Sequence, residues 1–201
     1  MYSIKEIKQQ FEKAEKEQWH ALFSQYTTDE RVGVKKLVEQ YKRKLQSHEK
    51  EQQRLQSMLT FERKYGVQYS CICGVDEAGR GPFAGPVVAG AVVLPVGLTI
   101  EGLNDSKKVS AKKREELFEE IKEKAVSVGI GMSSPARIDE INILRATYEA
   151  MKHAIEDLHV VPDLLLNDAV TIPDVPIRQL GIVKGDSQSL SIAAASIMAK
   201  V

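Results

Sequence analysis

Four acidic residues stand where apolar runs stop. Asp76 and Glu77 follow the run 71–75, Asp168 follows 164–166, and Asp186 follows 177–183. Short apolar runs bounded by turn residues read as strands. In open α/β sheets, ligand sites gather beyond the carboxyl ends of strands. If these strands are neighbours, the four carboxylates converge. Like charges a few ångströms apart do not all stay ionised without cations among them. Hard oxygen donors suit Mg2+ or Mn2+, and two such ions clamp a phosphodiester, one activating water and the other stabilising the leaving oxygen. Each acid also has a plainer use: Asp186, followed by Ser187, fits a helix cap; Asp168 fits a turn; Asp76 and Glu77 fit an exposed strand end. Adjacent strand residues point to opposite faces, so Asp76 and Glu77 share a site only if the strand ends or bulges there, which Gly79 and Gly81 would permit.

The segment Gly79-Arg80-Gly81-Pro82-Phe83-Ala84 nominally matches a dinucleotide-binding fingerprint, but that fingerprint needs a helix after its glycines. Here Pro86 and a valine-rich strand follow, so a nucleotide-cofactor enzyme is rejected. The glycines instead suit close backbone approach to a sugar edge or phosphate, with Arg80 adding a charge-assisted contact.

The elements that must position these groups fall into two parts, an N-terminal α-helical extension over 1–68 and an α/β core over 69–201. In the first, Ile4, Ile7, Phe11 and Ala14 recur at helical spacing, and Val34, Leu37, Val38, Tyr41 and Leu45 do so again, with Leu55 and Leu59 beyond. A helical hairpin is expected, with Asp29 as the cap of its second helix. It serves either packing or as a basic arm that tracks phosphates. The core reads β-β-(α)-β-α-β-β-α, with Ser134-Pro135 starting one helix and a small-residue helix running from about Ser189. Two consecutive opening strands imply a hairpin and hence a mixed sheet.

Lys+Arg and Asp+Glu number 28 each, so net charge alone points to no nucleic-acid partner. The balance hides an asymmetry: residues 1–70 hold 14 basic against 10 acidic residues, and 71–201 hold 14 against 18. Cys71 and Cys73 give no disulfide framework and read as thiols on one face of a strand. No apolar stretch follows the N-terminus as a signal peptide requires, and no apolar run approaches membrane-spanning length. A monomer in the cytoplasm, with no membrane partner, is expected.

Several separated motifs carry a resemblance. Gly74-Val75-Asp76-Glu77-Ala78-Gly79-Arg80-Gly81-Pro82 followed by Ala84-Gly85-Pro86, then Asp105-Ser106-Lys107-Lys108, Asp139-Glu140-Ile141-Asn142-Ile143, Lys184-Gly185-Asp186-Ser187, and Ser191 through Ile197 with Ala199-Lys200-Val201, resemble ribonuclease HII. The likeness is to bacterial, Bacillus-like members that carry an N-terminal extension. Arg80 favours this family over the related ribonuclease HIII. The resemblance implies a ribonuclease H-like fold, a five-stranded mixed sheet flanked by helices. It implies an endoribonuclease that hydrolyses the phosphodiester 5′ to ribonucleotides in RNA–DNA hybrids and in DNA duplexes with embedded ribonucleotides, leaving 5′-phosphate ends. It assigns Asp76, Glu77, Asp168 and Asp186 as catalytic residues and as ligands of two divalent ions, Mn2+ or Mg2+. Gly79, Arg80 and Gly81 would sense the 2′-hydroxyl, and Lys107 and Lys108 would lie near the nucleic-acid backbone, an exposed turn being their plainer reading.

Two departures accompany the resemblance. Ala169 stands after the third acid, where the family commonly has glycine. The sequence ends at Val201, where the family usually continues through Thr-Arg-Asp and further helices, including a tyrosine that stacks on the substrate sugar. The chain is therefore expected to be C-terminally truncated, and a non-catalytic nucleic-acid-binding module of the same fold is the alternative to the enzyme. The intact acids favour the enzyme; the ending at Val201 favours the module.

Overall fold

The five stretches of strand character pair into one sheet: β1 (Ile72–Ala78), β2 (Val87–Val93), β3 (Ser127–Ser133), β4 (Leu164–Asp168) and β5 (Arg178–Ile182). Their order across the sheet is β3-β2-β1-β4-β5. β2 runs antiparallel to both β1 and β3, whereas β4 is parallel to β1 and β5 parallel to β4. The sheet is thus mixed, as its opening hairpin requires. This is a computed structural model that describes residues 2–81 and 85–201; Pro82, Phe83 and Ala84 of the glycine-containing segment lie outside the described residues.

The chain divides into two compact units, Met1–Gln53 and Arg54–Val201. In the first, α1 (Ile4–Lys13) begins with a capping box between Ser3 and Glu6. Its Ile7 and Phe11 are buried together with Val34, Leu37, Val38, Tyr41 and Leu45 of α3 (Val32–Met58). The helical hairpin expected from periodicity is incomplete, because a short helix, α2 (Trp19–Gln25), lies between its arms. Trp19 and Phe23 on α2 join the same core, and the Trp19 Nε1–H donates to the Phe11 carbonyl at 3.1 Å. Asp29 does not sit at the helix start; its carboxylate accepts from the Arg31 backbone N–H at 3.1 Å and pairs with the Arg31 guanidinium at 2.6 Å.

In the second unit the two faces of the sheet are covered differently. On one, Ala150, Met151 and Ala154 of α7 (Ile143–Glu156) pack on Cys73, Val75, Ala89, Ala91 and Leu165. On the other, α8 (Leu190–Lys200) and α5 (Ala111–Lys124) pack around Val92 with Leu55, Met58 and Leu59. Serines and alanines let α8 lie against the strands with its backbone. A Cβ on Gly74 would fall 2.0 Å from the Ser191 carbonyl carbon, and one on Gly90 would fall 2.5 Å from the Ala195 oxygen. The start of α8 is held from α4 (Thr60–Tyr65), where the Glu62 carboxylate accepts from the Ser189 hydroxyl at 2.6 Å and the Ser191 N–H at 3.0 Å. Ser134 caps α6 (Pro135–Ile141) as expected. The helical stretch then breaks at Asn142, whose φ of 70° ends α6 while its side chain accepts from Leu144 and Arg145 N–H to begin α7.

Candidate active site

Strand parity decides which acids meet. On β1, Cys73 and Val75 face α7, so Gly74 and Asp76 face α8. On β4, Leu164 and Leu166 pack against Ile192 of α8, which sends Asp168 to that same face. The parallel register pairs Gly74 with Leu166 and Val75 with Asn167, and continuing it by one residue puts Asp76 beside Asp168. Asp186 arrives from the 3-10 turn Gly185–Ser187 that follows β5. Carboxylate oxygens of Asp76, Asp168 and Asp186 all lie within 4.8 Å of one another.

Glu77 does not join them. Pairing between β1 and β2 continues unbroken through Glu77–Ala89 and Ala78–Val88, so the bulge that would have turned both acids inward is absent. Glu77 leaves the strand on the opposite side, and its Oε1 pairs with Arg80 at 2.9 Å. Its Oε2 is buried and, among the described residues, has no hydrogen-bond partner.

The three clustered carboxylates are unequal. Asp76 is 4% exposed, and burial, reinforced by the charges of Glu77 and Asp168, pushes it up to about 7, against the opposing effect of a hydrogen bond from Ser196. Asp186 is also raised, by burial first and then by the charges of Asp105 and Asp168, with Lys107 acting in the other direction. Asp168 is half-buried, and its Oδ1 accepts from the Gly185 N–H at 2.7 Å. Three acidic oxygens gathered where burial resists their charge form a donor set suited to a hard divalent cation.

Around this cluster opens a cleft of about 500 Å3, lined in part by Asp105, Lys107, Asp168, Lys184 and Asp186. Lys107 reaches Asp186 at 4.0 Å and Lys108 reaches Asp105 at 3.6 Å. Arg80 and both glycines of its segment are exposed. Gly79 holds φ at 95°, and a Cβ there would strike the Pro86 carbonyl oxygen at 2.2 Å, so glycine is required by the turn. A Cβ on Gly81 would meet nothing within 4 Å among the described residues.

Asp105, Ser106 and Ser196 lie within motifs that carry the family resemblance, but none was given a role of its own. Asp105 caps its own turn by accepting from the Lys107 N–H at 2.9 Å, and nothing in its spacing connects it with Asp186. Ser196 is one of several small residues on a helix whose composition explained itself by close packing.

A family described as Ribonuclease HII matches residues 73–201, and one described as Ribonuclease HII N-terminal domain matches 3–66. The chain belongs to the ribonuclease HII family. It is 54% identical to the ribonuclease HII of Lachnoclostridium phytofermentans over 98% of this chain and 78% of that protein. It is 52% identical to the ribonuclease HII of Clostridioides difficile over 99% of this chain and 78% of that protein. Among solved structures, ribonuclease H2 from Pyrococcus horikoshii OT3 superposes with a TM-score of 0.57 at 29% identity, covering 65% of this chain and 70% of that one. The five-stranded mixed sheet with flanking helices is the ribonuclease H fold, and ribonuclease HII membership makes the chain a hydrolase, a ribonuclease H with endonuclease activity. No helix among the described residues is long and apolar enough to cross a membrane.

Proposed function

We propose that the cluster of Asp76, Asp168 and Asp186 holds divalent metal, Mn2+ or Mg2+, and that the chain uses two such ions to cut the phosphodiester on the 5′ side of a ribonucleotide in an RNA–DNA hybrid or a DNA duplex with an embedded ribonucleotide. The observation that carries this reading is the convergence, within 4.8 Å, of three carboxylates from β1, from the end of β4 and from the 3-10 turn after β5. Bound cations there supply Lewis acidity to the phosphodiester and lower the pKa of water. The chain's own residues do the rest. Asp76 and Asp186 present oxygens from a buried floor, and Asp168 does so while holding the Gly185 N–H. Glu77, expected as the fourth ligand, leaves β1 on the face opposite the cluster and pairs with Arg80, so the proposed centre rests on the three aspartates.

Lys107 and Lys108 flank the cleft and are placed to meet backbone phosphates. Gly79, Arg80 and Gly81 read the ribose 2′-hydroxyl. Gly79 is fixed by its turn, whereas a Cβ at Gly81 meets nothing within 4 Å among the described residues, which favours approach of its backbone to a sugar edge. Residues 1–68 form the helical extension and 69–201 the catalytic core of a protein that works in the cytoplasm as a monomer.

The test is cleavage of a DNA duplex carrying one ribonucleotide, beside all-DNA and all-RNA duplexes, with and without Mn2+ or Mg2+. Metal-dependent cutting confined to the 5′ side of the ribonucleotide is expected. Metal-independent cutting, or equal cutting of all three duplexes, would reject the reading.

A further inference from the structure

In the N-terminal unit, α3 turns one side to the core and another to solvent. Val34, Leu37, Val38, Tyr41 and Leu45 are its buried residues. Residues seven apart on a helix drift by only about 20°. Lys36, Arg43 and Lys50 are seven apart and fall on one line, opposite that buried stripe, and all three are exposed. At about 1.5 Å per residue, neighbours on this line stand about 10.5 Å apart and its ends about 21 Å apart.

The surroundings of the line leave its charges available. Between Lys36 and Lys50 the same outward face carries Gln40, Gln46 and Ser47, all uncharged, and the single acid Glu39. Glu39 pairs with Arg43 at 3.4 Å, but both side chains are more than half exposed. An exposed pair of this kind is weak and screened by salt, so an anion competes for the guanidinium. Among the described residues, Lys36 and Lys50 have no ion-pair partner. Other cations of the unit lie against its own aromatics: Lys44 Nζ sits 4.7 Å from the centre of the Tyr41 ring, and Lys42 Nζ sits 5.9 Å from that of Phe23. A face that only needs hydration mixes both signs, as α1 does with Lys8 and Glu12 paired at 3.4 Å. The α3 line has one sign.

We infer that Lys36, Arg43 and Lys50 form a phosphate-contact surface by which the N-terminal unit binds the backbone of a nucleic-acid duplex without regard to its sequence. Duplex DNA carries about one negative charge per 1.7 Å of its axis, so phosphates are available along the whole line. The outward face between Lys36 and Lys50 holds no aromatic side chain on which an unpaired base could stack, which favours a duplex over a single strand. The inference rests on the reading that this chain acts on duplexes, and adds to it a second attachment. Two attachments on one chain raise the effective concentration of duplex at the catalytic core.

The test is fluorescence anisotropy of two labelled duplexes, one all-DNA and one with a single ribonucleotide, titrated with the full chain. A chelator removes divalent cations, so binding is read without cleavage. The line variant is Lys36→Gln/Arg43→Gln/Lys50→Gln. The control, Lys5→Gln/Lys8→Gln/Lys13→Gln, removes the same charge from exposed positions on α1. Glutamine matches lysine and arginine in helix propensity, and thermal melting checks each fold. The line variant should flatten the slope of log affinity against log salt by about 2.7. Its deficit against wild type should therefore be about 40-fold larger at 50 mM than at 200 mM salt, equally on both duplexes, and the control should keep the wild-type slope. A wild-type slope in the line variant, or an equal loss in the control, would overturn the surface. Should the triple variant not fold, each single substitution is expected to flatten the slope by about 0.9, and three unchanged slopes would overturn it. Cleavage with Mn2+ is read separately. Duplex binding with the expected slopes but no metal-dependent cutting would overturn the metal centre and leave the surface standing, whereas no binding of either duplex by the wild-type chain would overturn both.

Discussion

The Asp168 carboxylate accepts the Gly185 backbone N–H at 2.7 Å, so one proposed metal ligand holds in place the turn that carries another, Asp186. The two functions of this carboxylate separate by substitution. Asp168→Asn keeps an oxygen for Gly185 and removes the charge. It should abolish metal-dependent cleavage while shifting the melting temperature little. Asp168→Ala removes both, and should cost about 1–2 kcal/mol of stability in addition to activity. Urea denaturation beside the cleavage assay checks this, and undiminished turnover in Asp168→Asn would reject the assignment.

The strands and the mixed sheet were legible because apolar runs are bounded by turn residues and two consecutive strands open the core. Of the acids, Asp168 ends β4, whereas Asp76 lies inside β1 and Asp186 in the turn after β5. The partition between Asp76 and Glu77 was only half legible. Alternation flagged the conflict, but the decision depended on whether the strand continued, and pairing through Ala78–Val88 shows that it does. The position of Asp105 beside Asp186 was not legible, because it depends on a contact between residues far apart in sequence that no local pattern encodes. The helix α2 was missed for a different reason. Its seven residues are too few to establish a period, and its aromatics are explained by tertiary burial.

Ala169 sits at φ 57°, directly after Asp168, and its N–H donates to the Ile182 carbonyl at 3.0 Å. That conformation costs a residue with a Cβ about 1–2 kcal/mol. Glycine loses part of that advantage through its freedom in the unfolded chain. Ala169→Gly is therefore expected to stabilise the protein by about 0.5–1 kcal/mol without loss of activity. A lower urea midpoint for the variant would contradict the strain argument.

The raised Asp76 carboxyl makes a pH prediction with a definite sign. Its folded-state value of about 7 lies above the ordinary value near 3.9 of an unfolded chain. The stabilisation from the neutral carboxyl is thus complete below about pH 4 and is lost as pH rises through about 7. Asp186 shifts in the same direction. Cation-free protein should melt at a lower temperature at pH 8 than at pH 6, and Asp76→Asn should show a smaller difference. Because a cation must displace the proton, Mn2+ affinity should rise over the same interval. Calorimetry at the two pH values measures both effects, and a flat profile would contradict them.

Arg80 pairs with Glu77 and is exposed toward solvent. Arg80→Ala should weaken binding of the single-ribonucleotide duplex about tenfold, the loss of one charge-assisted contact, and leave Mn2+ affinity within about twofold. Equal loss of duplex and metal binding, with the fold intact, would remove Arg80 from substrate recognition.

The seating of α8 on Gly74 and Gly90 has a consequence for biosynthesis. The acids enter the growing polypeptide at 76, 168 and 186, yet the face of β1 that carries Asp76 is covered by α8, which begins only after the last of them. While the ribosome still covers 190–200, that face of β1 has no helix over it. Asp76 therefore reaches its buried position only once α8 has emerged and docked on Gly74 and Gly90.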